Sequence, residues 1–331
     1  MTTSTSPAPR YDVAGIGNAI VDVLAYTEDS FLEKQELTKG AMILIDEGRA
    51  DFLYQQMGPA TECSGGSAAN TLAGLASLGA KTAFIGKVKD DQLGKIFRHD
   101  MKAIGVDFHT PAAISGKATA RCLICVTPDA QRTMNTYIGA CAEITEADIE
   151  PELVQGAAIT YVEGYLWDLP QTKNALRHAM SLARHAGRKV AFTLSDTFCV
   201  ERHRAEFLAL IREQVNIVFS NESEIKALFE TSDLNHAIAQ AKGLSDIVII
   251  TRGGEGCIVL TPEQMLMVPA LKVERVVDTT GAGDLFASGF LYGLVQGKDL
   301  RNAAVCGHRC AAEIIQQLGA RSLRPLKTLV A

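Results

Sequence analysis

The sequence has no surplus of positive charge, and that absence removes a first class of function. Thirty-two Lys and Arg stand against 38 Asp and Glu, a net charge of −6 over 331 residues. Binding a nucleic-acid backbone or an anionic membrane needs a basic surface, so neither partner is expected. Residues 1–10 are rich in Ser, Thr and Pro and lack an apolar core of about seven or more residues, so neither a secretory signal nor an anchor is expected there, and residues 1–9 read as a disordered tail. A P-loop string, G-x-x-x-x-G-K-[ST], is missing throughout. The dinucleotide fingerprint also fails: after Gly15 and Gly17 there is no third glycine, and residues 19–25 read as a second strand instead of opening a helix. Cys122 and Cys125 have zinc-like spacing but no second pair. Odd-spaced residues on a strand face opposite sides, so no metal or redox role is expected of them. The eight cysteines, mostly inside apolar runs, read as buried thiols of a cytoplasmic protein.

What is present suits a globular enzyme with a sizeable core, at 47% hydrophobic and 21% charged residues. After an opening strand at 11–16, residues 47–57 and 71–78 read as helices, 82–88 as a strand and 90–105 as a helix. From residue 158 onward strands and helices alternate: strands 158–163, 189–194, 216–219 and 246–250, helices 171–186, 201–214 and 222–230. That rhythm predicts an α/β fold with a mostly parallel central sheet covered by helices on both faces. Strands at 19–25, 41–45, 118–127 and 132–138 have no matching helices, and the last two flank the turn Thr127-Pro-Asp-Ala-Gln131. They are assigned to a small β lid. The expected division is 10–17, 48–105 and 140–331 in the large domain, with 18–47 and 106–139 in the lid.

The most informative stretch is Val277-Asp278-Thr279-Thr280-Gly281-Ala282-Gly283-Asp284, followed by an apolar run. It reads as a strand end, a glycine turn and a helix. Gly281 and Gly283 can turn peptide N–H groups toward the point where the positive helix end is aimed, which makes an anion hole with Ala282 between them. Asp284 falls where an N-cap is expected, beside the place of a phosphate. A carboxylate there would repel the phosphate unless it took a proton from an attacking nucleophile. The chemistry implied is phosphoryl transfer to a hydroxyl, with Asp284 as general base.

Asp-Thr-Thr-Gly-Ala-Gly-Asp at 278–284, with Leu-Phe-Ala-Ser-Gly-Phe after it, closely resembles the C-terminal signature of the ribokinase-like (PfkB) family of carbohydrate and nucleoside kinases. Gly65-Gly66-Ser67-Ala-Ala-Asn70, about 210 residues earlier, resembles that family's N-terminal G-G-x-x-x-N signature, which lines the acceptor pocket. The resemblance spans residues 11–319 and implies the ribokinase-like fold, ATP and magnesium as cosubstrate and cofactor, and Asp284 as catalytic base. By the same resemblance Asn18 and Asp22, with Gly65, Gly66, Ser67 and Asn70, hold the acceptor's hydroxyls. Asn221-Glu-Ser-Glu224 matches an N-x-x-E string whose acid acts on magnesium through water. Thr251-Arg-Gly253-Gly-Glu-Gly256 resembles the nucleotide loop, and Thr280 and His308 fall among the residues bordering ATP. Asp278 is a candidate ligand of a monovalent cation such as potassium.

The acceptor is read from shorter strings. Leu194-Ser-Asp-Thr-Phe198, an aromatic at Tyr165 and Arg132-Thr-Met-Asn135 in the hairpin are similar to strings of the family's adenosine kinase branch. They imply a purine flanked by Tyr165 and Phe198, with Arg132 brought over the transferred phosphate. Core packing is the competing reading for both aromatics. Departures from the branch stand at Ala19, Ile20, Asp196 and Thr197. A sugar kinase of ribokinase or fructokinase type, another purine nucleoside kinase and a catalytically silent sugar-binding protein are the alternatives, in a monomer or homodimer.

Overall fold

A computed structural model of the chain describes residues 8–129 and 131–330; most of the expected N-terminal tail lies outside the described residues. Two sheets make up the frame. The larger runs, edge to edge, Met265–Val268, Cys257–Leu260, Ile247–Thr251, Ile217–Asn221, Lys189–Thr193, Ala157–Glu163, Tyr11–Ile16, Thr82–Ile85 and Val106–Phe108. Its seven strands from Ile247–Thr251 to Val106–Phe108 pair in parallel, and the first two add an antiparallel hairpin at one edge. Residues alternate between the two faces, as a strand requires. Val13, Ala191, Ile217 and Ile249 join one core, while Ala14, Val190, Val218 and Val248 join the other. Each such valine or isoleucine, when fully buried, stabilises by about 1.5–3 kcal/mol, so both faces must be covered by helices.

Chain order reverses between Tyr11–Ile16 and Ala157–Glu163, which are neighbours in the sheet. Loops leaving the C-terminal ends of two such strands diverge to opposite faces and leave a crevice between them. The first loop leads through Gly17 and Asn18 into the smaller sheet, ordered Met42–Leu44, Arg132–Tyr137, Ala120–Val126, Ile20–Tyr26 and Thr61–Ser64. Ala120–Val126 and Arg132–Tyr137 form the expected antiparallel hairpin.

Two strands change sides relative to the sequence reading. Thr61–Ser64 pairs with Ile20–Tyr26 in the small sheet, and Val106–Phe108 pairs with Thr82–Ile85 in the large one. Neither short segment carries enough apolar alternation to declare itself; the partner ladder defines each. No strand precedes the glycine turn at 281, either. Residues 271–280 are irregular, and Val277 and Asp278 donate their N–H groups to the Ile315 carbonyl instead.

Helices Ser67–Leu78 and Ala282–Val295 bring the two signature strings together. A Cβ on Gly74 would overlap Ser288 Oγ, so only glycine permits this close approach, and Ser288 Oγ donates to the Thr71 carbonyl at 2.8 Å across the contact. The first helix begins at Ser67, earlier than residue 71. Gly66, at φ 91°, turns the chain into it where a Cβ would strike the Asn18 carbonyl. Among the described residues no helix is long and apolar enough to cross a membrane.

Candidate active site

The crevice is floored by a buried acid that the sequence reading did not single out. Glu163, the last residue of its strand, accepts the backbone N–H groups of Asn18 and Ala68, each at 2.8 Å. It thereby ties the loop after the first strand to the start of helix Ser67–Leu78. Burial pushes its carboxyl up to about 7 despite these donors. A Cβ on Gly17 would press against Glu163 Oε2, which explains the glycine. With main chains so fixed, Asn18 and Asn70 each keep a buried Oδ1 with no partner. Buried polar atoms are ordinarily paired, so two orphans in one crevice indicate room for a ligand's donors.

Asp22 lies nearby, where a Cβ on Gly65 would overlap its carboxylate. None of the described hydrogen bonds or ion pairs reaches that carboxylate. Burial pushes it up to about 6, against the opposing fields of Arg132 and Arg321, and Asp284 raises it further. A diol would supply the missing donors.

Asp284 is not the N-cap. Gly281 takes that position in the left-handed region at φ 75°, where a Cβ would crowd Ala320, and Asp284 is the third residue of helix Ala282–Val295. There it meets the acceptor string directly. Ser67 Oγ donates to one carboxylate oxygen at 2.7 Å and Asn70 Nδ2 to the other at 2.9 Å. Two of about four lone-pair positions remain for a proton donor. Burial raises its pKa above the usual carboxylate range, opposed by Asn70, Ser67 and the Arg321 charge. Of the three amides expected in the anion hole, that of Ala282 is engaged with the Thr279 carbonyl at 3.1 Å. Those of Gly281 and Gly283 have no partner among the described bonds, and a Cβ on Gly283 would meet nothing within 4 Å. That open helix N-terminus suits a phosphate.

Arg132 reaches from the small sheet to this same point. Its Nη1 donates to Asp278 Oδ2 at 2.6 Å and to Thr280 Oγ1, with the side chain 9% exposed. Asp278 also accepts the N–H groups of Thr280 at 2.9 Å and Gly319 at 2.8 Å. Burial would raise the Asp278 carboxyl, but these donors and the guanidinium outweigh it and hold the carboxyl below its usual value. The residues as placed do not suit a potassium ion, because a guanidinium already neutralises the carboxylate. Arg132 itself is latched beside the anion hole instead of standing free over it.

On the other side of the crevice, Asn221 and Glu224 form a reciprocal cap: Asn221 Oδ1 accepts from the Glu224 N–H at 2.8 Å, and Glu224 Oε2 from the Asn221 N–H at 3.0 Å. Glu224 is buried without a cationic partner among the described ion pairs, and burial pushes it up to about 7. A cation held through water would supply the missing charge, so the donor set fits magnesium in that role. Thr251 ends its strand with Oγ1 on the Ser220 carbonyl at 3.2 Å. Gly253 at φ 53° and Gly256 at φ 97° turn the loop that follows, leaving Gly253 exposed. His308, read as a neighbour of ATP, is buried, with Nε2 3.2 Å from the Val268 carbonyl and its ring on Phe286. It supports the wall from behind.

Tyr165 and Phe198 stand at the ends of adjacent strands. Tyr165 is half-buried, with its hydroxyl donating to the Ser195 carbonyl at 3.2 Å, and Ser195 takes a left-handed φ of 74°. Phe198, in the first turn of helix Thr197–Gln214, is 65% exposed. Plain core packing therefore fails for Phe198. The sequence reading also missed Arg321, which lies just past the stretch of resemblance.

A helix N-terminus with open amides, a carboxylate beside it and a crevice lined by unpaired polar atoms suit a phosphotransferase acting on a hydroxyl. The comparisons agree: the sequence profile of the pfkB family of carbohydrate kinases matches residues 44–327, and the chain belongs to that family. Its fold is shared with an adenosine kinase from Sinorhizobium meliloti, at 49% identity and a TM-score of 0.91 over 96% of this chain and 98% of that one. A probable sugar kinase from Rhizobium etli CFN 42 is 46% identical, with a TM-score of 0.91 and 97% of each chain covered. The adenosine kinase of Schizophyllum commune is 29% identical over 93% of this chain and 96% of its own. The chain is thus a kinase of ribokinase-like fold, similar to adenosine kinases, and ATP with magnesium is the family's general donor system.

Proposed function

We propose that this kinase phosphorylates the 5′-hydroxyl of a nucleoside and that the nucleoside is adenosine. The observation that carries phosphoryl transfer is Asp284, held by Ser67 and Asn70 beside the open amides of Gly281 and Gly283. In this reading Asp22 and the free oxygens of Asn18 and Asn70 take the ribose hydroxyls. Asp284 removes the 5′-hydroxyl proton as the oxygen attacks, and the glycine amides, with Arg132, stabilise the charge on the transferring phosphoryl group. Glu224 would hold magnesium through water, and the ion would supply positive charge to the ATP phosphates. Asn221, Thr251 and the Gly253–Gly256 loop take the nucleotide, with Thr280 at its phosphates.

Adenosine is favoured by Phe198, a large aromatic left exposed where the core does not use it, whereas Tyr165 is half-buried and packs in part against the core. Aromatic faces stack on planar bases, whereas a free sugar is met better by polar groups. The competing reading, a sugar kinase, is favoured by the 46% identical Rhizobium protein. Coupled ADP release should be measured with adenosine, inosine, guanosine, ribose, fructose and ketodeoxygluconate. Adenosine should give the highest kcat/KM. A sugar preferred over every nucleoside would transfer the assignment to the sugar kinases.

A further inference from the structure

Arg321 lies in the irregular segment after helix Leu300–Ile314, and its guanidinium is directed inward to the acceptor string. Nε donates to the Ser64 carbonyl at 3.1 Å, Nη1 to the Ala69 carbonyl at 2.8 Å and Nη2 to Ser64 Oγ at 3.2 Å. These acceptors stand on either side of Gly65, Gly66 and Ser67, so one side chain clamps both ends of the turn that presents Ser67 and Asn70 to Asp284. No carboxylate is hydrogen-bonded to it, although Asp22, Asp284 and Asp100 all lie within reach of its field. A cation placed beside acids yet bonded only to neutral acceptors, the three oxygens and the Met101 sulfur at 3.7 Å, is unusual for a purely structural bolt, which a neutral amide could replace more cheaply in desolvation. The other cation near these acids, Arg132, is engaged with Asp278 and belongs to the lid.

We propose that Arg321 is a positioning residue of the phosphoryl transfer: it pins the turn from Ser64 to Asn70 against Asp284 and supplies a fixed positive charge beside the acceptor carboxylates. The inference rests on Asp284 being the base. Burial lowers the guanidinium to about 10, which still leaves it charged at neutral pH. Its field opposes the rise that burial imposes on both Asp284 and Asp22. The other groups facing Asp284 are Ser67 and Asn70 from the adjoining helix, Asp22 from the small sheet, and Tyr161, Glu163 and Tyr165 from the strand Ala157–Glu163 and the turn after it. Asp284 in turn raises Asp22, Glu163 and the two tyrosines, and Arg321 is the cation that opposes the rise on Asp284 itself. A lysine would keep the charge but lose the rigid fork that spans three acceptors.

The test compares Arg321→Gln with Arg321→Lys for folding, for ATP and acceptor KM, and for kcat across pH. Arg321→Gln should move the acidic limb of the kcat profile up by about half a pH unit or more, with turnover near neutral pH reduced ~10-fold and ATP binding unchanged. Arg321→Lys should leave that limb in place while acceptor KM rises ~5-fold. Should Arg321→Gln not fold, the lysine variant decides alone: a parental acceptor KM would overturn the proposal. A Gln variant with a lower melting temperature and an unmoved acidic limb would reduce Arg321 to a bolt. Titration of the Asp284 carboxyl by ¹³C NMR in parent and Arg321→Gln reads the same field with no acceptor present. It separates failure here from failure of the kinase reading: an unshifted carboxyl refutes the role of Arg321, whereas no turnover by the parent with any acceptor refutes the reading of the site.

Discussion

The two walls of the crevice are built by different means. On the proposed reading the acceptor wall consists of the buried side chains of Asn18, Asn70 and Glu163 and the half-buried ones of Asp22 and Asp284, brought together from strands and helices far apart in the chain. Their polar atoms are partly unpaired, and burial raises each of the three acids. The nucleotide wall is mainly backbone: glycine turns, a helix N-terminus and a reciprocal cap that satisfies itself. A backbone wall accepts any phosphate chain, while a side-chain wall with open hydrogen-bond positions selects. Specificity should therefore respond to substitutions on the first wall and nucleotide affinity should not.

The sharpest way to break that contrast is Asp284→Asn. Turnover should fall about 10²–10⁴-fold, the usual worth of a general base, while ATP affinity stays at the parental value. Turnover and ATP binding measured together decide the point, because a variant within tenfold of the parent would remove Asp284 as base.

Arg132 joins the walls, since it comes from the small sheet and ends on Asp278. Arg132→Ala should lower kcat by ~10²-fold and acceptor KM far less, because its charge matters most during transfer. Steady-state kinetics showing a raised acceptor KM with normal kcat would instead make it a substrate clamp.

Tyr165→Ala should cost adenosine binding roughly 1–3 kcal/mol and leave any ribose phosphorylation nearly untouched. If Tyr165 were only packing, the cavity would lower the melting temperature and harm both acceptors alike. Kinetics with the two acceptors, beside a melting curve, separate these cases.

The last effect is on stability and leaves the choice of acceptor untouched. Glu163 and Asp22 have folded pKa values of about 7 and 6, above their unfolded values near 4. The folded chain therefore holds protons that the unfolded chain releases. Their contribution is fully present below about pH 4 and is lost as pH rises through 6 to 7, at up to about 1.4 kcal/mol per pH unit for each proton. Melting temperature should decline across that window, and Glu163→Gln should flatten the decline. An unchanged slope would mean that Glu163 is ionised in both states.

The contrast between the walls also explains what was legible beforehand. Glycine turns announce themselves locally, so the strings at 65–70, 251–256 and 278–284 stood out as turns from the sequence. Helix register within them was less visible: the left-handed Gly281 moves the cap three residues ahead of Asp284. Glu163 was missed because a charged residue ending an apolar strand has no local signature, and its partners lie 145 and 95 residues away. Arg321 was missed for the same reason, with acceptors 257 and 252 residues distant. The one usable signal was an arginine next to a small-residue turn at the close of the homologous stretch. Phe198 was legible as an aromatic but not as an exposed one, since exposure depends on where helix Thr197–Gln214 begins relative to its neighbours.

The contact of Gly74 with Ser288 has a consequence for how the site comes together. It welds the helix carrying Ser67 and Asn70 to the one carrying Asp284, so the base and its aligning donors travel as one body, while Arg132 rides on the other sheet. On the proposed reading, a small sheet that lifted far enough to part Arg132 from Asp278 would leave the base without that cation, and its return would restore the charge as water is excluded. The seam between the two sheets would then tie the assembly of the charged site to the shutting out of water.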